Sequence, residues 1–377
     1  MDTPSRRSFL LAGGSFAIGV GAGLGIAHRD DVLPSRVVWA FETTGRIVSS
    51  PTVGDGTVYV GSDDSTVHSV STSDGTRRTT ARLHTKAGVF SSPALGADGG
   101  LYVGSTDTAI YGLFSSPGAR DEWRFETTDW VTASPAVADG TVYVGSTDGT
   151  MYALNAETGA EQWRFETGDG IVSSPAVVDG TVYVGSTDGT VYALDADSGT
   201  DRWQFDTEGR VYSSPTVADG TVYVGSYDAN IYAIDTTDGV EQWQFETGDS
   251  IWSSPTVLEE TLWIGSKDAA LYAVATEDGS EQWRFPTGGE VNSSPTVAGE
   301  TVYVGSDDAN LYAVAASDGS ERWTFETGGA VQSSPTVADG TVYVGSGDST
   351  LYALDADETG SSEGSRAELR TLGYFAE

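Results

Sequence analysis

The chain contains no cysteine. Disulfide staples, thiol chemistry and thiolate metal sites are therefore excluded, whatever compartment it works in. Lysine is almost missing. Only Lys86 and Lys267 occur among 19 basic residues, against 55 acidic ones, for a net charge of −36. No basic stripe exists to neutralise phosphates, which argues against nucleic acid as a partner. The three histidines, His28, His68 and His84, show no ligand spacing, and no nucleophile motif or phosphate-cradling loop is present. Past residue 30 no apolar pattern of period 3.6 is sustained, so helices are not expected there.

What the chain does have is repetition. The string SSPTVADGTVYVGS at 213–226 returns unchanged at 333–346. Its Ser-Pro step recurs at Pro51, Pro93, Pro135, Pro175, Pro215, Pro255, Pro295 and Pro335, with spacings of 42, 42 and then 40. A fixed period near 40 is the signature of a repeat architecture. One unit, Ser173 to Thr207, reads as four short strands. SSPAV ends at Asp179-Gly180, a pair suited to a hairpin turn with φ > 0 at both positions. TVYVGS, TVYALDA and DRWQFDT follow, each set off by turn residues. In TVYVGS both faces are apolar, so this sheet must be covered on both sides. The expectation is an all-β, eight-bladed β-propeller of four-stranded antiparallel blades.

The fourth strand carries a tryptophan at Trp39, Trp123, Trp163, Trp203, Trp243, Trp283 and Trp323, with Ala81 the one exception. Trp39 precedes the first full repeat, and no such strand follows the last. Residues 36–43 are thus expected to supply the outermost strand of the final blade and close the ring. Blade 1, whose fourth strand contains Ala81, is expected to be packed least well. The string A-L-D-A-x-(S/T)-G-x-x-x-W, with V-Y-V-G-S-x-D-G ahead of it, resembles the pyrroloquinoline-quinone (PQQ) enzyme repeat over about 320 residues. The resemblance implies that each tryptophan docks on the neighbouring blade. It also implies two functional classes: non-catalytic rings like the outer-membrane assembly factor BamB, and quinone-dependent dehydrogenases.

Outside the ring, Ser5-Arg6-Arg7-Ser8-Phe9-Leu10 resembles a twin-arginine export signal, followed by a glycine-broken apolar run to Ala27. Residues 1–27 are read as a signal peptide or anchor, 36–357 as the propeller and 358–377 as a tail. An exported, extracellular or envelope-associated monomer follows, touching a membrane only through its N-terminal segment. The acidic residues are spread through every repeat, as in proteins of extreme halophiles. Such self-repulsion is screened when molar salt cuts the Debye length to about 3 Å.

An aspartate occupies the same turn in every unit: Asp64, Asp107, Asp148, Asp188, Asp228, Asp268, Asp308 and Asp348. A turn made eight times needs its aspartate eight times, so a structural role is expected and no metal site is assigned. Positions that differ between copies are better guides to function. Five and three residues before each proline, and just before the turn aspartate, the copies diverge. Unusual residues gather there: Arg46, Trp130, Arg210, Tyr212, Tyr227, Trp252, Lys267, Glu290 and Asn292. Aromatics with a few convergent charges suit a protein partner or small ligand at the rim. No catalytic residue and no cofactor is assigned, and the function expected is that of an exported scaffold. The alternative is a dehydrogenase holding PQQ with calcium, to which Arg46, Arg210, Trp130, Trp252 and Asn292 would contribute. Such enzymes add cofactor-burying loops and often a cysteine pair, and this chain has neither.

Overall fold

A computed structural model describes residues 36–78, 83–97, 99–114 and 122–357. Residues 1–27, read above as a signal peptide or anchor, the tail at 358–377 and Ala81 lie outside the described residues. The described chain forms eight four-stranded sheets, each antiparallel and ordered from the axis outwards. Blades 1 to 7 are continuous in sequence, at 52–84, 94–126, 136–166, 176–206, 216–246, 256–286 and 296–326. Blade 8 takes three strands from 336–355 and its fourth from Val37–Glu42, which pairs with Thr350–Asp355.

Each turn follows from its sequence. Asp179 and Gly180 both adopt positive φ, 48° and 69°, as the two-residue hairpin requires. The central strand Thr181–Gly185 is buried on both faces. The valines and tyrosines of one blade pack against those of the next, so the apolar cores lie between blades rather than within them.

Three kinds of bond tie neighbours together. At the outer wall, Trp163 donates its Nε1–H to the Ala196 carbonyl at 2.8 Å and lies over Gly199. A Cβ on Gly199 would meet the ring at 2.6 Å, and its φ of +68° also favours glycine. Trp39 does the same across the closure, bonding the Thr72 carbonyl at 2.8 Å and covering Gly75. Midway in, the residue four before each proline is a fully buried Ile or Val. Ile47 fills the space above Gly345 in the preceding blade, where a Cβ would lie 2.2 Å away.

Near the axis the Ser-Pro step finds its purpose. The Ser50 amide donates to Ser92 Oγ, the Ser92 amide to Ser134 Oγ, and so on to Ser334, whose amide returns to Ser50 Oγ. Eight bonds of 2.9–3.1 Å make a closed hoop. In five blades a second bond reinforces it, from the threonine after one proline to the next blade's proline carbonyl. Thr52, Thr216, Thr256, Thr296 and Thr336 make this bond at 2.5–2.6 Å. Blades 2, 3 and 4 have Ala94, Ala136 and Ala176 at the same place.

Candidate functional site

The loop entering each inner strand and the turn between the second and third strands share one face. A backbone bond fixes them: the residue before the turn aspartate donates to the carbonyl five before the proline. Tyr227 donates to Arg210, Lys267 to Ser250 and Asp307 to Glu290, each at 2.9–3.0 Å. This is the reason the divergent positions share a rim. The first and last described residues, Arg36 and Asp357, are on the other face, where the Asp355 amide donates to the Arg36 carbonyl.

On blades 5 to 7 the divergent side chains touch in sequence around the ring. Tyr212 stacks on Trp252, with centroids 4.7 Å apart and planes 12° from parallel. Tyr227 closes the group, 4.7 Å from Tyr212 and edge-on to Trp252 at 6.2 Å. Arg210, which is exposed, donates to the Tyr212 hydroxyl at 3.2 Å. The Lys267 ammonium sits 5.4 Å from the Tyr227 ring centre and 5.7 Å from that of Trp252. It also pairs with Glu290 at 3.2 Å. Burial works against the Lys267 charge, but Tyr227 and Glu290 outweigh it and hold its pKa above the ordinary value.

Beyond Lys267 the contacts turn polar. Asn292 donates to Glu290 Oε2 at 3.2 Å and to Asp307 Oδ2 at 3.1 Å. Asn292 Oδ1 and Asp307 Oδ1 are buried acceptors with no donor. Asp307 is the residue that reasoning from sequence left out. Its signal was present, because it occupies the same divergent position as Tyr227 and Lys267. Asp249 also faces this region. The Ser250 amide and hydroxyl hold it below the usual carboxylate range, with weaker help from Lys267.

Arg46 and Trp130 do not join this group. Arg46 pairs with Asp63 beside it at 2.7 Å. Trp130 stands alone on blade 3, 55% exposed, while Trp252 is 40% exposed. Blade 3 departs in another way. Ala133 replaces the serine whose Oγ accepts the second-strand glycine amide in the other blades, and Thr132 Oγ1 is buried without a partner.

The turn aspartates are occupied by the fold. Asp188 accepts the Thr190 amide at 2.8 Å on one oxygen. Its other oxygen takes the Gly168 amide and the Tyr192 hydroxyl, both at 2.7 Å. The carboxylate–tyrosine bond recurs in blades 2, 3, 5, 6, 7 and 8. Burial, then the neighbouring carboxylate, pushes the Tyr192 pKa up to about 12. In blade 1 His68 replaces the tyrosine and meets both Asp64 oxygens, at 3.0 and 3.1 Å. Burial alone would raise the Asp64 pKa. His68 and the Thr44 amide outweigh that and hold it well below the usual range. Among the described residues, no group of three or more His, Asp or Glu side chains is arranged to hold a metal ion.

A family model described as outer membrane protein assembly factor BamB matches residues 33–120, 78–173, 158–267 and 267–362. Among solved structures, BamB from Moraxella catarrhalis aligns with a TM-score of 0.73 at 19% identity, covering 85% of this chain and 99% of that one. The computationally designed Ika8 protein aligns at 0.74 and 14% identity, with the same two coverages. A quinohemoprotein alcohol dehydrogenase from Comamonas testosteroni aligns at 0.72 and 17% identity, covering 85% of this chain and 76% of the enzyme. No curated protein matches the sequence. At these identities the structural likeness speaks to the fold alone.

Proposed function

The chain belongs to the family described as outer membrane protein assembly factor BamB, and from that premise we propose that it is an exported, non-catalytic ring that holds a protein partner on the rim of blades 5 to 7. The observation that carries this reading is the stack of Tyr212 on the exposed Trp252, flanked by Arg210 and Lys267. Preassembled aromatics with an exposed tryptophan are the usual anchors of protein interfaces, and here little side-chain entropy remains to be lost on binding. The placement of Arg36 on the opposite face adds support. A chain tethered through the residues before Arg36 presents this rim away from the tether. The charge of −36 fits an external medium of high salt, in which the acidic surface is screened.

The quinone reading has less support. Of its five candidate residues, Arg46 is committed to Asp63 and Asn292 to Glu290 and Asp307, and Trp130 lies three blades from Trp252.

A photo-crosslinking residue placed at 249, an exposed rim position beside the stack, tests the proposal in intact cells, with position 240 on the opposite face as control. A discrete protein adduct is expected at 249 and none at 240, with loss of the adduct in Tyr212→Ala. Equal labelling at both positions would count against the rim. Saturable binding of PQQ with calcium to the purified ring would favour the dehydrogenase.

A further inference from the structure

The rim of blades 5 to 7 is chemically polarised from one end to the other. At the blade 7 end stand Glu290, Asn292 and Asp307, and the two atoms left unpaired there, Asn292 Oδ1 and Asp307 Oδ1, are both acceptors. Both atoms are closed off from solvent, so the group this end offers a ligand is the partly exposed Glu290 carboxylate. In the middle lie Trp252, Tyr212 and Tyr227. At the blade 5 end Arg210 is exposed and held by a tyrosine hydroxyl; the Asp169 carboxylate acts on it electrostatically, and no ion pair to it is formed among the described residues.

We infer that the occupant, on the reading proposed above, is an extended partner segment with a basic residue at one end, an aromatic or apolar residue in the middle and an acidic residue at the other. Its guanidinium lies on Glu290. Its central side chain lies against Trp252, and its carboxylate meets Arg210. Arginine suits the blade 7 end because its planar fork matches the geometry of a carboxylate. Lys267 already shows that this end holds a cation, since its ammonium bridges the aromatic rings and Glu290. Arg210 at the far end makes a uniformly basic segment a poorer fit. The acidic surface of the whole chain disfavours a uniformly acidic one.

Four capped peptides test this against the intact ring by fluorescence anisotropy: Arg-Ala-Phe-Ala-Glu, Arg-Ala-Phe-Ala-Arg, Glu-Ala-Phe-Ala-Glu and Arg-Ala-Ala-Ala-Glu. The first is expected to bind at least fivefold more tightly than the others. Arg210→Glu, at an exposed site that leaves the ring folded, is expected to invert the order of the first two. Trp252→Ala should remove the advantage of phenylalanine over alanine. Molar salt should shrink the charge preferences and spare the phenylalanine one. An unchanged ranking in Arg210→Glu, or tightest binding of the doubly acidic peptide, would overturn the inference. If the residue 249 adduct persists while all four peptides bind alike, the rim still holds a partner but the polarity assigned to it is wrong.

Discussion

The ring divides into two arcs that differ at one inner position. From blade 5 through blade 8 to blade 1, a threonine after the proline bonds the next blade's proline carbonyl. In blades 2, 3 and 4 that residue is alanine, and blade 3 also lacks the serine at 133. The serine hoop runs through both arcs unbroken. The same backbone path is therefore held with or without the extra bond, and the reinforced arc is the one that carries the aromatic rim. A preassembled surface spanning three blades needs those blades fixed relative to one another, and the threonines fix them directly beneath it.

The largest effects should ignore the division. Trp203 on blade 4 and Trp39 on blade 8 are both buried, both bond a carbonyl of the next blade and both cover its glycine. Either one replaced by alanine is expected to cost about 3–5 kcal/mol. Denaturant melts in matched salt would check this. A much milder Trp39→Ala would mean that the closure, rather than the arcs, is the true weak point.

Alkaline pH attacks a bond that both arcs share. Tyr111, Tyr152 and Tyr192 in the alanine arc and Tyr312 in the threonine arc all have pKa values pushed up to about 12, first by burial. Their protonated forms are favoured in the fold. The stability they contribute is full below the ordinary tyrosine value near 10 and is lost as pH rises towards 12. Melting temperature should fall across that window as one transition. Two separated transitions would show that the arcs unfold independently.

Single threonines sharpen the comparison directly. Thr256→Val keeps the shape and leaves the Pro295 carbonyl unpaired, for an expected loss of about 1 kcal/mol. Ala176→Thr should move stability the other way, by up to about 1 kcal/mol, because five other blades already accommodate threonine at this place. If neither change registers, the arcs are equivalent. The smallest effect belongs to Trp252→Ala. At 40% exposure it should alter stability by no more than about 0.5 kcal/mol while removing the adduct at the rim.

The ring was legible in the sequence because each blade meets the same packing demand and answers it with the same residues. Trp39 ahead of the first repeat even announced how the ring closes. The hoop was less legible. Ser92 is as invariant as Pro93, but its partner lies a full repeat away, and only the fold brings amide and hydroxyl together. The rim divided likewise. Tyr212, Tyr227, Trp252 and Lys267 stood out as departures, and adjacency in the ring joined them. Arg46 and Trp130 departed just as clearly, yet Arg46 turns to Asp63 and Trp130 has no divergent aromatic beside it. Asp307 was passed over because an aspartate before an aspartate looks ordinary in so acidic a chain.

The Asp355 amide bonded to the Arg36 carbonyl has a further consequence. The path from Arg36 to Asp355 is a circuit cut at one place, and the serine hoop and the buried Ile or Val tie every seam alike. The cut can therefore be moved. A circular permutant that joins 357 to 36 through a short linker and opens between Thr247 and Ile251 would keep all eight blades. Its ends would then emerge on the opposite face, beside Trp252, so a tether would turn the rim towards its anchor.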